Sequence, residues 1–127
     1  MTPNILLVDD NLDSCELAAK WLCRSGYHTD TANDGATALA LASQNHYDLA
    51  IIDYQMPGMN GVDLFRQMHQ QHPEIVGIFL TGFTTIDVVF PAIDAGITRV
   101  LPKPVDFNEL MPLIEEYVGG PEEPAGD

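Results

Sequence analysis

Two periodicities divide this chain. Five short segments read as strands: NILLVD, YHTDTA, YDLAIID, IVGIFLT and TRVLP. Three of them carry nearly continuous apolar runs, the pattern of parallel strands covered on both faces. Between them the spacing changes to that of helices. Asp13 to Arg24 puts Leu17, Ala18, Trp21 and Leu22 on one stripe, with Gly26 to end it. Trp21 reads as a core or flanking packer. Ala36 to Ser43 is rich in Ala and Leu, and Val62 to Met68 offers Leu64, Phe65 and Met68 as a packing face. Thr84 to Ala95 opens on TTID with Thr84 as N-cap and ends at Gly96; Asp106 to Val118 opens on DFNE, where Asp106 caps and Glu109 takes the third helical position.

The alternation βαβαβαβαβα predicts an α/β domain: a five-stranded parallel sheet, doubly wound, with helices on both faces and right-handed crossovers. The domain is expected over residues 1–118. The remainder, GGPEEPAGD over 119–127, reads as a flexible acidic tail or linker.

Composition narrows the functional classes. The chain has 127 residues, and its 19 acids against five bases give a formal net charge of −14. The bases, Lys20, Arg24, Arg66, Arg99 and Lys103, are scattered. Nothing here neutralises a row of phosphates, so direct binding of nucleic acid is excluded; a docking face for a basic patch on another protein fits better. No apolar run approaches the roughly 20 residues that cross a bilayer. MTPNILLVDD lacks the positive start of a signal peptide. Cys15 and Cys23 fall in one predicted helix, about 12 Å apart along its axis, too far for a disulfide. A reduced, cytoplasmic setting without membrane attachment is expected.

The polar residues break the pattern in telling places. The first predicted strand ends in Asp9-Asp10, the third in Asp53, the fourth in Thr81-Gly82, and the fifth runs into Lys103-Pro104. The second offers nothing comparable. Ligands of open α/β sheets bind beyond the carboxyl ends of the strands. With the first and third strands as neighbours, three carboxylates, a hydroxyl and an ammonium share one rim. Taken singly, each residue has an ordinary role as cap, turn or solvated charge. Together, the carboxylates repel one another unless cations are present. Lys103 supplies one positive charge, and Mg²⁺ would supply the rest through oxygen ligands. A metal, a positioned carboxylate nucleophile and a cation for developing charge are the parts of phosphoryl transfer.

The motifs ILLVDDN, DLAIIDYQMPGMNG, FLTG and LPKP resemble the response-regulator receiver domain of two-component signalling, in order and spacing, from about Asn4 to Val118. The resemblance implies a flavodoxin-like fold with strand order 2-1-3-4-5. It implies that Asp53 accepts a phosphoryl group from the phosphohistidine of a sensor histidine kinase or a histidine phosphotransfer protein. It implies that Mg²⁺ is held by Asp9, Asp10, Asp53 and the main-chain carbonyl of Gln55. Thr81 would turn its hydroxyl to the phosphoryl group, Lys103 would pair with a phosphoryl oxygen, and the Lys103–Pro104 bond would be cis.

The chain departs from the family's pattern at two points. Val100 stands where an aromatic switch residue is common, and Pro91 falls inside the fourth predicted helix, where proline breaks a backbone hydrogen bond and kinks or splits the helix. Phosphorylation is therefore expected to reorder Gly82 to Pro91, with Phe83 moving with the loop and Val100 staying in place. A flavodoxin-like cofactor binder would need a phosphate loop after the first strand, and DDNLDS there is acidic. A pseudo-receiver, an interaction module that no longer takes phosphate, would lack the acceptor, the acidic pair or the lysine. His28, His46, His69 and His72 make no metal pattern and read as surface residues.

Overall fold

The computed structural model describes residues 3–54, 60–82, 91–103 and 105–119. The elements are β1 (Asn4–Val8), α1 (Leu12–Arg24), β2 (His28–Ala32), α2 (Gly35–Gln44), β3 (Leu49–Asp53), α3 (Gly61–Gln71), β4 (Val76–Thr81), β5 (Arg99–Pro102) and α4 (Phe107–Val118). The five strands form one sheet of order β2-β1-β3-β4-β5, every pair parallel.

Strand alternation sorts the apolar runs onto two faces. Leu6, Val8, Ala50, Ile52 and Phe79 point to the side covered by α2 and α3. Ile5, Leu7, Leu49, Ile51, Ile78 and Leu80 point to the side covered by α1 and α4. Every residue of β3 is buried. With cover on both faces, no position of this strand is left for a polar residue until the strand ends, which is why the apolar run stops only at Asp53.

The helix starts follow local chemistry. Asn11 caps α1, Asp34 α2, Asn60 α3 and Asp106 α4, each side chain accepting a backbone N–H of the first turn; such a cap stabilises by about 1 kcal/mol. Helix α3 runs three residues beyond the predicted Met68, because its polar last turn carries no apolar signal although the His72 N–H still closes on the Met68 carbonyl. Helix α4 continues through Pro112, which the apolar pattern gave no reason to flag. Of the predicted helix Thr84 to Ala95, residues 91–94 are helical, and the Pro91 carbonyl accepts the Ala95 N–H at 3.0 Å. The predicted cap at Thr84 and the effect of Pro91 on the preceding turn lie outside the described residues. Trp21 packs as expected of a flanking residue, stacked on Phe107 with ring centroids 4.5 Å apart, and so joins α1 to α4.

Gly77 is a close-approach position. A Cβ there would lie 2.4 Å from Phe65 Cε1 and 2.6 Å from Ile97 Cδ1. Phe65 is fully buried and edge-on to Phe79, so its ring has little room to yield. Gly77→Ala is expected to destabilise the fold by about 1–3 kcal/mol, read as a lower urea midpoint with an unchanged slope.

Candidate functional site at the carboxyl rim

Parallel register delivers the polar residues to one edge. Asp53 pairs with Leu80, and Thr81 with Pro102, so β3, β4 and β5 end side by side. Across β1, Val8 pairs with Ile52, which sets Asp9 beside Asp53. Oxygens of Asp9, Asp10 and Asp53 all lie within 4.8 Å of one another. Asp53 is 3% exposed, and its Oδ2 accepts from Lys103 Nζ at 2.7 Å. Thr81 is fully buried, and its carbonyl accepts the Lys103 N–H at 2.9 Å, which fixes the base of the lysine. The structure thus gathers five of the residues singled out in the sequence, Asp9, Asp10, Asp53, Thr81 and Lys103.

Asp9 is held by its surroundings through both its backbone and its carboxylate. Its N–H donates to the Ala32 carbonyl at 3.1 Å, its carbonyl accepts from Asn33 Nδ2 at 3.0 Å, and its Oδ1 accepts the Asn11 N–H at 2.9 Å. The second strand brings no acid, hydroxyl or ammonium to the rim, but Asn33, which directly follows it, supports Asp9.

Other expected members are placed differently. Gly82 is exposed, and a Cβ on it would meet nothing within 4 Å. Val100 is half-buried opposite Phe79 and packs on the α2–α3 side of the sheet. Gln55, Phe83 and Pro104, and with Pro104 the expected cis bond, lie outside the described residues. The histidines do not converge on the rim: His72 Nε2 donates to the Ala42 carbonyl at 2.6 Å, and His46 pairs with Asp48.

The charges explain what the rim can hold. Burial pushes the Asp9 carboxyl above its ordinary range; the Asn11 N–H and Lys103 pull it back, and the charge of Asp53 pushes it up again. Burial, more than repulsion between the acids, therefore keeps Asp9 biased toward its neutral form. The donor set is all carboxylate oxygen, with neither sulfur nor imidazole, which suits a hard divalent cation such as Mg²⁺.

The comparisons with known proteins agree. The model of the response regulator receiver domain matches residues 5–115. This chain belongs to the response-regulator receiver family. The transcriptional regulatory protein ZraR of Klebsiella oxytoca is 29% identical over 113 residues, 89% of this chain but 26% of ZraR. The chain thus spans about a quarter of the length of such curated relatives. Among solved structures, a CheY-like receiver domain protein from Methanospirillum hungatei JF-1 superposes with a TM-score of 0.88 at 27% identity, covering 91% of this chain and 93% of that one. The response regulator TrrA of Thermotoga maritima, in complex with Mg(2+)-BeF, gives 0.83 at 28% identity, covering 92% of this chain and all of that one. The receiver fold and its place in two-component signalling are thereby established, and among the described residues no helix is long and apolar enough to cross a membrane.

A carboxyl whose pKa is raised on folding contributes stability below its unfolded pKa and loses it as pH rises through the folded one. Ionised Asp9 therefore weakens the metal-free domain at neutral pH. Asp9→Asn is expected to raise the melting temperature measured in a chelator at pH 7, and to shrink the rise that Mg²⁺ produces.

Proposed function

We propose that this domain is a phosphoacceptor switch, taking a phosphoryl group on Asp53 from the phosphohistidine of a sensor histidine kinase or a histidine phosphotransfer protein. The observation that carries the reading is the buried Asp53 carboxylate 2.7 Å from Lys103 Nζ with Asp9 and Asp10 beside it. A carboxylate oxygen of Asp53 attacks phosphorus, the P–N bond to histidine breaks as the P–O bond forms, its electron pair goes to the ring nitrogen, and the imidazole leaves neutral with the proton its other nitrogen already carried. Lys103 shifts from the carboxylate to a phosphoryl oxygen and offsets the charge that gathers there. Asp9, Asp10, Asp53 and the carbonyl of Gln55 would hold Mg²⁺, which when bound neutralises the phosphoryl oxygens. The chain assists its own phosphorylation and is not a turnover enzyme for an outside substrate. The retention of Asp9, Asp10, Asp53 and Lys103 weighs against the pseudo-receiver.

A donor protein has a surface to meet. An open groove of about 410 Å³ lies beside the rim, with Leu17, Ala18, Val105 and Phe107 on its apolar side and Asp9 and Lys103 at its polar end. Leu17 is 65% exposed on this side of the groove. The cytoplasm is where such a donor would be met. The response to phosphorylation begins at Thr81 and Gly82 and runs into the segment that opens with Phe83, while Val100 stays packed on the sheet.

Incubation with Mg²⁺ and a small phosphodonor such as acetyl phosphate, followed by intact mass, is expected to show one added phosphoryl group. Asp53→Asn is expected to remove it, and Mg²⁺ to raise the melting temperature by binding the folded cluster alone. Equal labelling of the Asn variant would move the acceptor elsewhere.

A further inference from the structure

The acidic pair follows β1, yet the backbone of Asp9 is held by the last residue of β2 and the residue after it. The Asp9 N–H is received by Ala32, the last residue of β2, and the Asp9 carbonyl receives the amide of Asn33, the next residue. That carbonyl belongs to the peptide unit joining Asp9 to Asp10. Asp10 itself is exposed, and no hydrogen bond to its carboxylate is found among the described residues. The aim of the Asp10 carboxylate is therefore set by its backbone, and the backbone by the Asp9–Asp10 peptide plane. We propose that Asn33 is a positioning residue for the acidic pair: its side-chain amide, 3.0 Å from the Asp9 carbonyl, holds the Asp9–Asp10 peptide so that Asp10 reaches the same cation as Asp9 and Asp53.

Among the described residues the Asn33 side chain makes no other hydrogen bond. Its neighbour Asp34 caps α2 through the Thr37 N–H at 2.7 Å, and Gly35 begins the helix. An Asn at residue 33 is not needed for the cap, for the strand or for the core. A small hard cation demands near-ideal octahedral placement of its ligands. A peptide plane free to rotate spreads the Asp10 oxygens over positions that mostly miss that geometry. Partners that orient metal ligands are typically worth 10–100-fold in affinity, and an exposed one such as Asn33 belongs at the lower end.

The inference rests on the reading of the acidic cluster as a divalent-cation site, and the test separates the two. The full chain, Asn33→Ala and Asn33→Asp are titrated with Mg²⁺ by calorimetry, with melting temperatures taken in chelator. Asn33→Ala is expected to bind Mg²⁺ about tenfold more weakly with its metal-free melting temperature nearly unchanged. Its phosphorylation by acetyl phosphate should recover when Mg²⁺ is raised in proportion. Asn33→Asp is the sharper variant. It keeps the shape, loses the donor and adds a negative charge near the site. If charge alone mattered it would bind Mg²⁺ more tightly; positioning requires it to bind more weakly, with a carboxylate now set against the Asp9 carbonyl. Tighter binding by Asn33→Asp, unchanged binding by Asn33→Ala, or a loss that only parallels a fall in metal-free stability would each overturn the role of Asn33. Failure of the unaltered chain to bind Mg²⁺ would instead overturn the reading of the cluster.

Discussion

Three carboxylates with oxygens inside 4.8 Å of one another are a standing repulsion, and the rest of the domain is arranged around tolerating it. Lys103 relieves part of it at 2.7 Å from Asp53, while burial, more than the remaining repulsion, pushes Asp9 toward its protonated form. A flexible edge would let these groups drift apart into water. They stay together because each follows a strand whose ladder is fixed on both sides: β1 between β2 and β3, and β3 between β1 and β4. The stability of the two-faced core offsets the cost of the rim, the usual arrangement in which a functional site is less stable than the scaffold that carries it.

Close packing at the floor of the site has the same purpose. Helix α3 begins at Gly61, whose N–H reaches the Tyr54 carbonyl at 3.3 Å. A Cβ on Gly61 would stand 3.2 Å from Tyr54 Cα and 3.3 Å from Ile52 Cγ2. The glycine lets the helix start against the very residues that carry Asp53, so the strand end is braced from below. On the same face the rings of Tyr54, Phe79 and Phe65 meet edge-on at 5.8 and 6.4 Å. The residue after the acceptor is thus tied by its ring to β4 and through it to α3.

Much of this was legible in the sequence because it depends on pattern. Continuous apolar runs marked β1, β3 and β4, and the abrupt acids and the Thr-Gly at their ends marked the rim. Register turned that one-dimensional coincidence into contact, since parallel strands of similar length end together. What was not legible depends on pairing across distance. Asn33 lies 24 residues from Asp9, and no local rule says that its amide reaches back to that carbonyl rather than to its own turn. His72 looked like a surface residue three positions from His69, yet its ring spans to α2 at Ala42. The last turn of α3 was missed because helices end where backbone bonds end, and an amphipathic stripe reports only the part that is buried. Pro112 shows the converse, a helix that tertiary packing carries through a residue whose local preference opposes it.

One quiet contact decides how the domain meets whatever lies along the chain. Tyr27, buried just before β2, gives its hydroxyl to the carbonyl of Gly119 at 3.3 Å, where the backbone turns with φ +95. Both residues sit at the edge where the strands begin, and Asp53 sits where they end, a strand length of about 17 Å away. A tether drawn from Gly119 therefore pulls on the opposite pole from the chemistry. Its tension enters through α4 and the start of β2, and the carboxylates feel it only as the sheet transmits it. Reporter groups, surface linkages or fused modules joined beyond that point begin behind the domain, with the rim facing outward.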